Sequence, residues 1–460
     1  MGNKGQAGSE TLGFLAGLSG AETDFLKVLV FGGATLLIGF VSIISPYLGI
    51  AALGLLGVAL LLGLNLRWGM LCLVFLMPFD PQIELKPGFY LYFDLLFVVP
   101  FLVYLWRVMF EKFHVNWISF AMFPYVLFAV VSTYWRAENL FWFAGYSARL
   151  IVAVLFMAVV AGIGRAESIT AMLGLSMVPS VVYGIYQELI DSPGPLYFLF
   201  YPHYEGYAWS GRARGFFFTE NNLGGYCAIV SVMLLAIGLR TKTPRIRFTC
   251  YVLALFGFLG VASSGSRGAW VAVIAGILML FVYSEARLGA KVLLAAAVVA
   301  VILVALSVSF EPWSRVQTLD NFTVDTRTSM SLAALLLFVQ HPVIGVGLTN
   351  YQELMSSVIN WDYEGNAAHN TYLQILSENG IIGFLLFFGP VFYLFYRNLK
   401  RAKESTPALL ICVGLTVFFV HGLFDFQFTT APQYLLLFAI LFGLSAKSAF
   451  EPVSVPVVTA

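Results

Sequence analysis

Long apolar runs separated by short polar segments dominate this chain. Crossing the hydrocarbon core of a bilayer takes roughly 20 apolar residues in a helix, and about fourteen runs approach that length. The runs begin near Phe25, Tyr47, Arg67, Leu91, Trp117, Tyr146, Ser168, Asn222, Phe248, Gly268, Gly289, Thr371, Pro407 and Pro432. The third run is short and the first three could form fewer spans, so about twelve spans is the alternative. The pattern predicts an all-α fold, a polytopic transmembrane helical bundle of about 12–14 spans.

Two polar segments, residues 191–221 and 311–370, interrupt this pattern. Both are rich in Trp, Tyr, Asp, Asn and Pro, so we predict two long external loops rather than helices. Within the second loop, residues 327–342 predict a short amphipathic helix that stops at Pro342. The predicted organisation is a tail at 1–24, transmembrane helices at 25–190, 222–310 and 371–448, the two loops, and a tail at 449–460.

The composition supports a membrane protein. Of the 460 residues, 60% are hydrophobic and only 11% are charged, and the mean hydropathy is +0.87. A soluble domain of this size could not bury so much apolar surface. The first ~24 residues are polar and glycine-rich, which predicts no cleavable signal peptide. The cysteines lie in apolar runs without C-x-x-C spacing, which predicts small buried hydrophobic residues at Cys72, Cys227, Cys250 and Cys412.

Lysine and arginine are distributed unevenly between the two ends of the predicted spans. Basic residues concentrate in cytoplasmic loops of membrane proteins, so the richer side is predicted to be cytoplasmic, with both termini on it. That side carries Lys4, Lys27, Arg67, Arg107, Lys112, Arg165, Arg240, Lys242, Arg245, Arg247, Arg287, Lys291, Arg397, Lys400, Arg401, Lys403 and Lys447.

The opposite, predicted outer side carries one lysine and otherwise only arginines. These residues are Lys86, Arg136, Arg149, Arg212, Arg214, Arg267, Arg315 and Arg327. Arginine offers a planar fork of donors that suits bidentate contacts with phosphate. Pairing with the carboxylates of the same loops is the alternative explanation.

A histidine stands at the start of one apolar run, in the stretch "AAHNTYLQILSENG" (367–380). Thr371 and Gln374 have the spacing of a capping box, which predicts a helix that starts at Asn370 or Thr371. The positive end of the helix dipole favours a neutral imidazole at His369, which suits a general base. An interfacial polar residue is the alternative. Glu378 lies about 13 Å further along the helix and is expected to be buried against a polar partner.

Arginines also stand at three other helix ends on the predicted outer side. Arg212 and Arg214 precede a helix that Asn221 or Asn222 could cap. Arg267 lies at the apex of a predicted tight turn, "ASSGSRGAW" (262–270), and Arg327 opens the amphipathic helix. Each arginine alone is typical of a loop or a membrane edge. Four arginines and one histidine on one side indicate a site for an anionic substrate.

These motifs resemble those of the O-antigen ligase and O-antigen polymerase superfamily. The resemblance covers roughly residues 205 to 400, in order, and the first third of the chain matches only as hydrophobic helices. It rests on Arg212-x-x-Gly215 followed by Phe-Phe and Asn222, on "SRGAW", on "RTSMSLAALLLFVQHPVIGVGLTNY" and on "HNTYLQILSENGIIGFLLFF".

The resemblance implies a membrane glycosyltransferase of the GT-C type, on the periplasmic face of the bacterial inner membrane. Such an enzyme transfers a glycan from undecaprenyl pyrophosphate to a hydroxyl of a lipid or glycan acceptor. By resemblance, His369 is the base, Arg212 and Arg267 bind pyrophosphate, and Arg214 and Arg327 assist. Asn222 and Glu378 are supporting residues.

This sequence departs from the family pattern at two places. Asn221 stands where the commoner pattern has a proline before Asn222. The Ser-Arg-Gly turn offers only one arginine, and the role of a second could fall to Arg214 or Arg327.

Several alternatives stay open. Asp362-x-Glu364 is a weak acidic pair, so we expect no metal site and no cofactor, and nothing in the sequence indicates nucleic acid as a partner. An O-antigen ligase with a lipid A–core acceptor is favoured over a polymerase or a protein O-glycosylating enzyme. More distant alternatives are a secondary transporter, which predicts intramembrane charges and an internal repeat, and a non-catalytic scaffold.

Overall fold

The structure is a computed structural model that describes residues 65–79, 82–86, 89–92, 97–110, 115–201, 210–284, 313–359, 367–426, 428 and 432–451. The predicted spans near Phe25, Tyr47 and Gly289 lie outside the described residues. So do both predicted tails, apart from the first few residues of the second. Asp362 and Glu364 are outside them as well.

Helices make up most of the described chain, and we number them in order. They are α1 (Leu66–Leu76), α2 (Val98–Phe110), α3 (Phe123–Thr133), α4 (Leu140–Ile163), α5 (Ala166–Leu189), α6 (Pro195–Phe200), α7 (Glu220–Arg240), α8 (Pro244–Ser264), α9 (Arg267–Tyr283), α10 (Trp313–Gln340), α11 (Asn350–Val358), α12 (Thr371–Leu399), α13 (Thr406–His421) and α14 (Pro432–Ser448). A 3-10 turn, Trp117–Phe120, precedes α3, and an antiparallel hairpin pairs β1 (Gln82–Lys86) with β2 (Phe89–Tyr92).

Five described helices, α4, α5, α7, α8 and α12, are long and apolar enough to cross a membrane. The other apolar helices are shorter, such as α1, α9 and α13. The prediction of a polytopic helical membrane protein is therefore confirmed. The total of 12–14 spans stays a prediction, since part of the chain lies outside the described residues.

Helix α7 runs through the centre of the bundle, and α8 packs along it at the periphery. In their most apolar stretches, 89% of the residues are buried in α7 but only 28% in α8. Glycines let the two backbones approach closely. A β-carbon at Gly257 of α8 would lie 1.9 Å from the Ser231 hydroxyl, and one at Gly260 would lie 2.7 Å from the Cys227 sulfur. Small residues at such contacts are typical of helix packing in membranes. All four cysteines are buried and unbridged, as predicted.

Several segments differ from the predictions. The helix expected near Leu91 begins at Val98, because residues 82–92 form the hairpin. The segments predicted as loops contain the helices α6, α10 and α11. Helix α10 ends at Gln340, two residues before Pro342, but it begins at Trp313 rather than near Arg327. Hydropathy detects only apolar runs, so polar helical turns before Arg327 gave no signal.

Hydrogen bonds join the helix ends in two groups, at opposite ends of the bundle. In the first, the Arg240 guanidinium donates to the carbonyls of Tyr283 (3.2 Å) and Ala402 (2.8 Å). In the second, the amide of Thr371 donates to the carbonyl of Gly422 at 2.8 Å. The predicted cytoplasmic ends therefore meet at one end and the predicted outer ends at the other. Which end faces the periplasm stays a prediction.

Helix α12 is interrupted at Gly380, whose backbone is non-helical (φ 60°, ψ −167°). The segment 342–347, which contains the Gly-Val-Gly turn, pairs with the interruption. The amides of Val346 and Gly347 each donate, at 2.8 Å, to the carbonyls of Ser377 and Glu378. Glycines make room for this pairing, because a β-carbon at Gly345 would lie 2.3 Å from the Glu378 carbonyl carbon. The turn that follows α10 is thereby fixed against α12.

Gly380→Ala is expected to destabilise the protein. The conformation of Gly380 is almost restricted to glycine and costs another residue about 1–3 kcal/mol, and the β-carbon of an alanine would lie 2.4 Å from the Val343 carbonyl group. Gly389→Ala, further along α12, is the matched control because nothing lies within 4 Å of its β-carbon. The midpoint of thermal unfolding in detergent should fall for Gly380→Ala and stay or rise for the control. Equal midpoints would contradict the role of the interruption.

Candidate active site

The tight turn predicted around Arg267 joins α8 to α9. Gly265 ends α8 in the left-handed region (φ 58°), and the Ser266 hydroxyl caps α9 by accepting from the amide of Ala269. Arg267 is the first residue of α9 and is exposed. Helix α7 passes so close that a β-carbon at Gly224 would lie 2.5 Å from the Ser264 hydroxyl. This close packing therefore fixes the turn, and with it the backbone of Arg267.

Arg212 is held against this turn from a different part of the chain. Its Nε donates to the carbonyl of Ser264 at 2.8 Å, and its Nη1 donates to Oε1 of Glu220 at 3.0 Å. Burial lowers the pKa of Arg212 from its usual value, Glu220 opposes this shift, and nearby Arg327, Arg267 and Arg214 add to it. An arginine stays protonated despite such a shift. Arg212 is therefore a fixed cation among other cations.

Three of the predicted arginines meet at one cavity at the predicted outer end of the bundle. The cavity is lined by Arg212, Asn221, Gly265, Ser266, Arg267, Gly268, Arg327, His421, Phe424 and Asp425. Arg327 comes from α10, far along the sequence from the other two arginines. The lining holds three guanidinium groups and one carboxylate, so the cavity suits an anion.

Arg214 is placed differently from the prediction. Its side chain is only 4% exposed and lies beside Glu220, with Nε 3.4 Å from Oε2. Its Nη1 donates to the Tyr197 hydroxyl at 3.2 Å. Arg214 therefore lies behind the residues that line the cavity, and its position suits holding Glu220 in place.

Asn222 is not the helix cap that the sequence suggested. Thr219 is the N-cap of α7, and its hydroxyl accepts from the Asn222 amide at 3.3 Å. Asn222 itself is buried in the first turn, where its carbonyl accepts from the Tyr434 hydroxyl at 2.9 Å. Threonine and asparagine are both good caps, so composition could not choose between them. Asn221, one residue earlier, lines the cavity.

His369 lies next to the cavity, at the start of α12. The helix begins as predicted, with Asn370 as its N-cap. His369 Nδ1 lies 3.0 Å from Oδ1 of Asp425, and the two side chains are 29% and 8% exposed. An ionised carboxylate only accepts hydrogen bonds, so in the neutral imidazole Nδ1 carries the hydrogen and Nε2 carries the lone pair. Asp425 lines the cavity and so connects His369 to the arginines.

Two functional candidates were missed by the sequence reasoning, Asp425 and His421. Both line the cavity, and they stand four residues apart where α13 ends. Gly225 makes room for His421, because a β-carbon there would lie 2.7 Å from the imidazole Cε1. The available signal was "HGLFD" (421–425), a titratable pair at the end of an apolar run.

Glu378 is buried against a polar partner, as predicted. The Gln374 amide nitrogen donates to Oε1 of Glu378 at 2.8 Å. Within the described ranges, no group of three or more His, Cys, Asp or Glu side chains is arranged to hold a metal ion.

The described helices and this cavity define a polytopic membrane protein with a cavity lined by three arginines at one end of its bundle. Residues 250–388 match the family model described as O-antigen ligase (Wzy_C). The match confirms the resemblance for this segment and supports a glycosyltransferase-type membrane enzyme. Arg267, Arg327, His369 and Glu378 lie inside the matched segment, whereas Arg212 and Asp425 lie outside it. Comparison with curated proteins gives no match.

Proposed function

We propose that the protein transfers a glycan from undecaprenyl pyrophosphate to an acceptor hydroxyl on the periplasmic face of the bacterial inner membrane. The favoured acceptor is lipid A–core, which makes the enzyme an O-antigen ligase. A polymerase that extends the lipid-linked glycan uses the same donor chemistry and is the alternative. The bilayer and the lipid-linked donor are the partners that this function requires.

The observation that carries the proposal is the convergence of Arg212, Arg267 and Arg327 beside the His369–Asp425 pair. The lining carries three guanidinium groups and one carboxylate, and Arg212 is also paired with Glu220, so positive charge is in excess and favours an anion between the arginines. A pyrophosphate supplies negative charge at this position, and guanidinium forks match its oxygens. The apolar helices below the cavity support this choice, because the lipid tail of such an anion could extend along them into the bilayer.

The proposed reaction is a direct displacement at the anomeric carbon. Nε2 of His369 takes the proton of the acceptor hydroxyl while its oxygen forms a bond to that carbon. The bond from the carbon to the pyrophosphate oxygen breaks, and undecaprenyl pyrophosphate leaves with the electron pair. The arginines stabilise the charge that grows on the leaving group. Asp425 stabilises the imidazolium that forms on His369.

The test uses purified protein, lipid-linked donor and lipid A–core, with transfer followed by gel and mass spectrometry. A ligase caps lipid A–core with the donor glycan, whereas a polymerase lengthens the lipid-linked glycan and leaves lipid A–core unchanged. A parallel assay with chelator tests whether the arginines suffice for charge neutralisation. Uptake of solute by proteoliposomes without any glycan product would instead support a transporter and overturn the proposal.

Arg267→Lys is expected to weaken donor binding although the charge is kept. Lysine cannot make the bidentate contact, and hydrogen bonds to charged groups contribute about 1.5–3 kcal/mol, which corresponds to roughly 10- to 150-fold in Kd. The matched control is Arg247→Lys at the opposite end of the bundle, where the guanidinium donates to the carbonyl of Thr241. Donor affinity is measured by titration in detergent. Unchanged affinity for Arg267→Lys would mean that this arginine does not contact pyrophosphate.

A further inference from the structure

A chain of hydrogen bonds leads from the interruption in α12 to the residue before His369. The Gln374 amide nitrogen donates to Glu378 Oε1 at 2.8 Å. Because the amide nitrogen faces Glu378, the amide oxygen of Gln374 points away from Glu378. It accepts from the backbone amide of Ala368 at 2.8 Å. Glu378, Gln374 and Ala368 are each at most 2% exposed, so water does not compete for these bonds.

The backbone of His369 explains why Ala368 needs to be held. His369 has φ 48°, in the left-handed region that a residue with a β-carbon rarely adopts. Such a conformation persists only when neighbouring contacts enforce it. Ala368 is fixed on one side by Gln374 and on the other by the Ser331 hydroxyl, which donates to its carbonyl at 3.1 Å. On the far side of His369, the Thr371 amide donates to the carbonyl of Gly422.

Backbone contacts fix the position of Glu378, the first residue in this series of hydrogen bonds. Its backbone carbonyl accepts from the amide of Gly347 at 2.8 Å. The absence of a side chain at Gly345 is required, because a β-carbon there would lie 2.3 Å from the Glu378 carbonyl carbon. The Gly-Val-Gly turn therefore sets the position of Glu378, and Glu378 sets the orientation of Gln374.

We propose that Gln374 and Glu378 are positioning residues that hold the backbone of His369 in its left-handed conformation and so aim Nε2 at the acceptor. This inference rests on the proposed function of His369 as the base. Neither side chain is among those that line the cavity. They should therefore affect the rate of transfer and leave donor binding unchanged.

The test first removes the two hydrogen bonds of Gln374 and then exchanges the two side chains. Gln374→Met keeps the length of the side chain but can neither donate to Glu378 nor accept from Ala368, and it should reduce kcat about 10- to 100-fold, because misplacement by about 1 Å can cost that much. The double variant Gln374→Glu with Glu378→Gln restores one amide facing one carboxylate, and an oxygen at position 374 still accepts from Ala368. It should recover kcat to within about threefold of the wild type. KM and Kd for the donor should stay within about twofold throughout.

The outcomes separate this inference from the proposed function. Loss of kcat in the single variant with recovery in the double variant supports the positioning role. A Gln374→Met variant with wild-type kcat, or loss of donor affinity in parallel with kcat, overturns it. If Gln374→Met unfolds, Glu378→Met decides, because it removes the acceptor that orients Gln374: kcat should fall at unchanged donor affinity, and wild-type kcat would overturn the inference. If His369→Ala turns over at the wild-type rate, the proposed base is wrong, whatever Gln374 does.

Discussion

Replacing His369 with alanine is expected to reduce glycan transfer by about a hundred- to ten-thousand-fold, the usual contribution of a general base. Donor binding should be retained, because the arginines that line the cavity lie on other elements. His341→Ala is the matched control, since His341 is exposed in the turn that follows α10. Both variants are assayed for transfer with purified protein and for donor binding by titration.

A different interpretation of His369 gives a clearly different result. If His369 only stabilises the start of α12, its loss should cost about 1 kcal/mol of stability, as for a lost cap, and turnover should continue. Transfer at near the wild-type rate would therefore rule out His369 as the base. The two interpretations differ by far more than the error of a transfer assay.

Asp425→Asn is expected to lower kcat by about a hundred-fold or more at unchanged donor affinity. An asparagine keeps the size of the side chain, but it removes the charge that stabilises imidazolium. Its amide can also hold the imidazole in the wrong tautomer, a change that costs about 10⁴-fold in a serine protease triad. The matched control is Asp191→Asn, an exposed aspartate just after α5. Steady-state kinetics with varied donor separates kcat from KM.

The result for Asp425 depends on His369 in a way that can be checked. If Asp425 acts only through the imidazole, Asp425→Asn should cause no further loss in the His369→Ala background. A further loss there would show that Asp425 contacts the substrate on its own. Wild-type kcat for the single variant would contradict the role of the pair.

Much of the fold could be predicted from the sequence, because apolar runs of helical length have few alternatives in a membrane. The starts of α7, α9, α12 and α13 were predicted to within two residues. The polar part of α10 and the hairpin at 82–92 were missed. Neither segment is a long apolar run, and hydropathy detects only such runs.

The candidate site was predicted only in part, for a related reason. Arg212, Arg267, Arg327 and His369 stand out because each is a polar residue at the end of an apolar run. Asp425 could not be paired with His369, since 56 residues separate them and only the packing of α12 against α13 brings them together. The difference between Arg212 and Arg214 was also invisible, because both precede the same helix and only one faces the cavity.

Glycines of α7, α9 and α13 determine how closely these helices pack. They therefore affect the distance between the donor and the base in the proposed reaction. The arginines of the turns before α7 and α9 belong to one set of helices, and the His369–Asp425 pair belongs to α12 and α13. The two sets touch where Gly225 faces His421, where Gly276 faces Val417 and where Gly414 faces Met233. In the proposed reaction, the separation between leaving group and base is therefore set by how closely these helices lie. A methyl group added at Gly276 or Gly414 would lengthen the path of the attacking oxygen without touching a residue of the cavity.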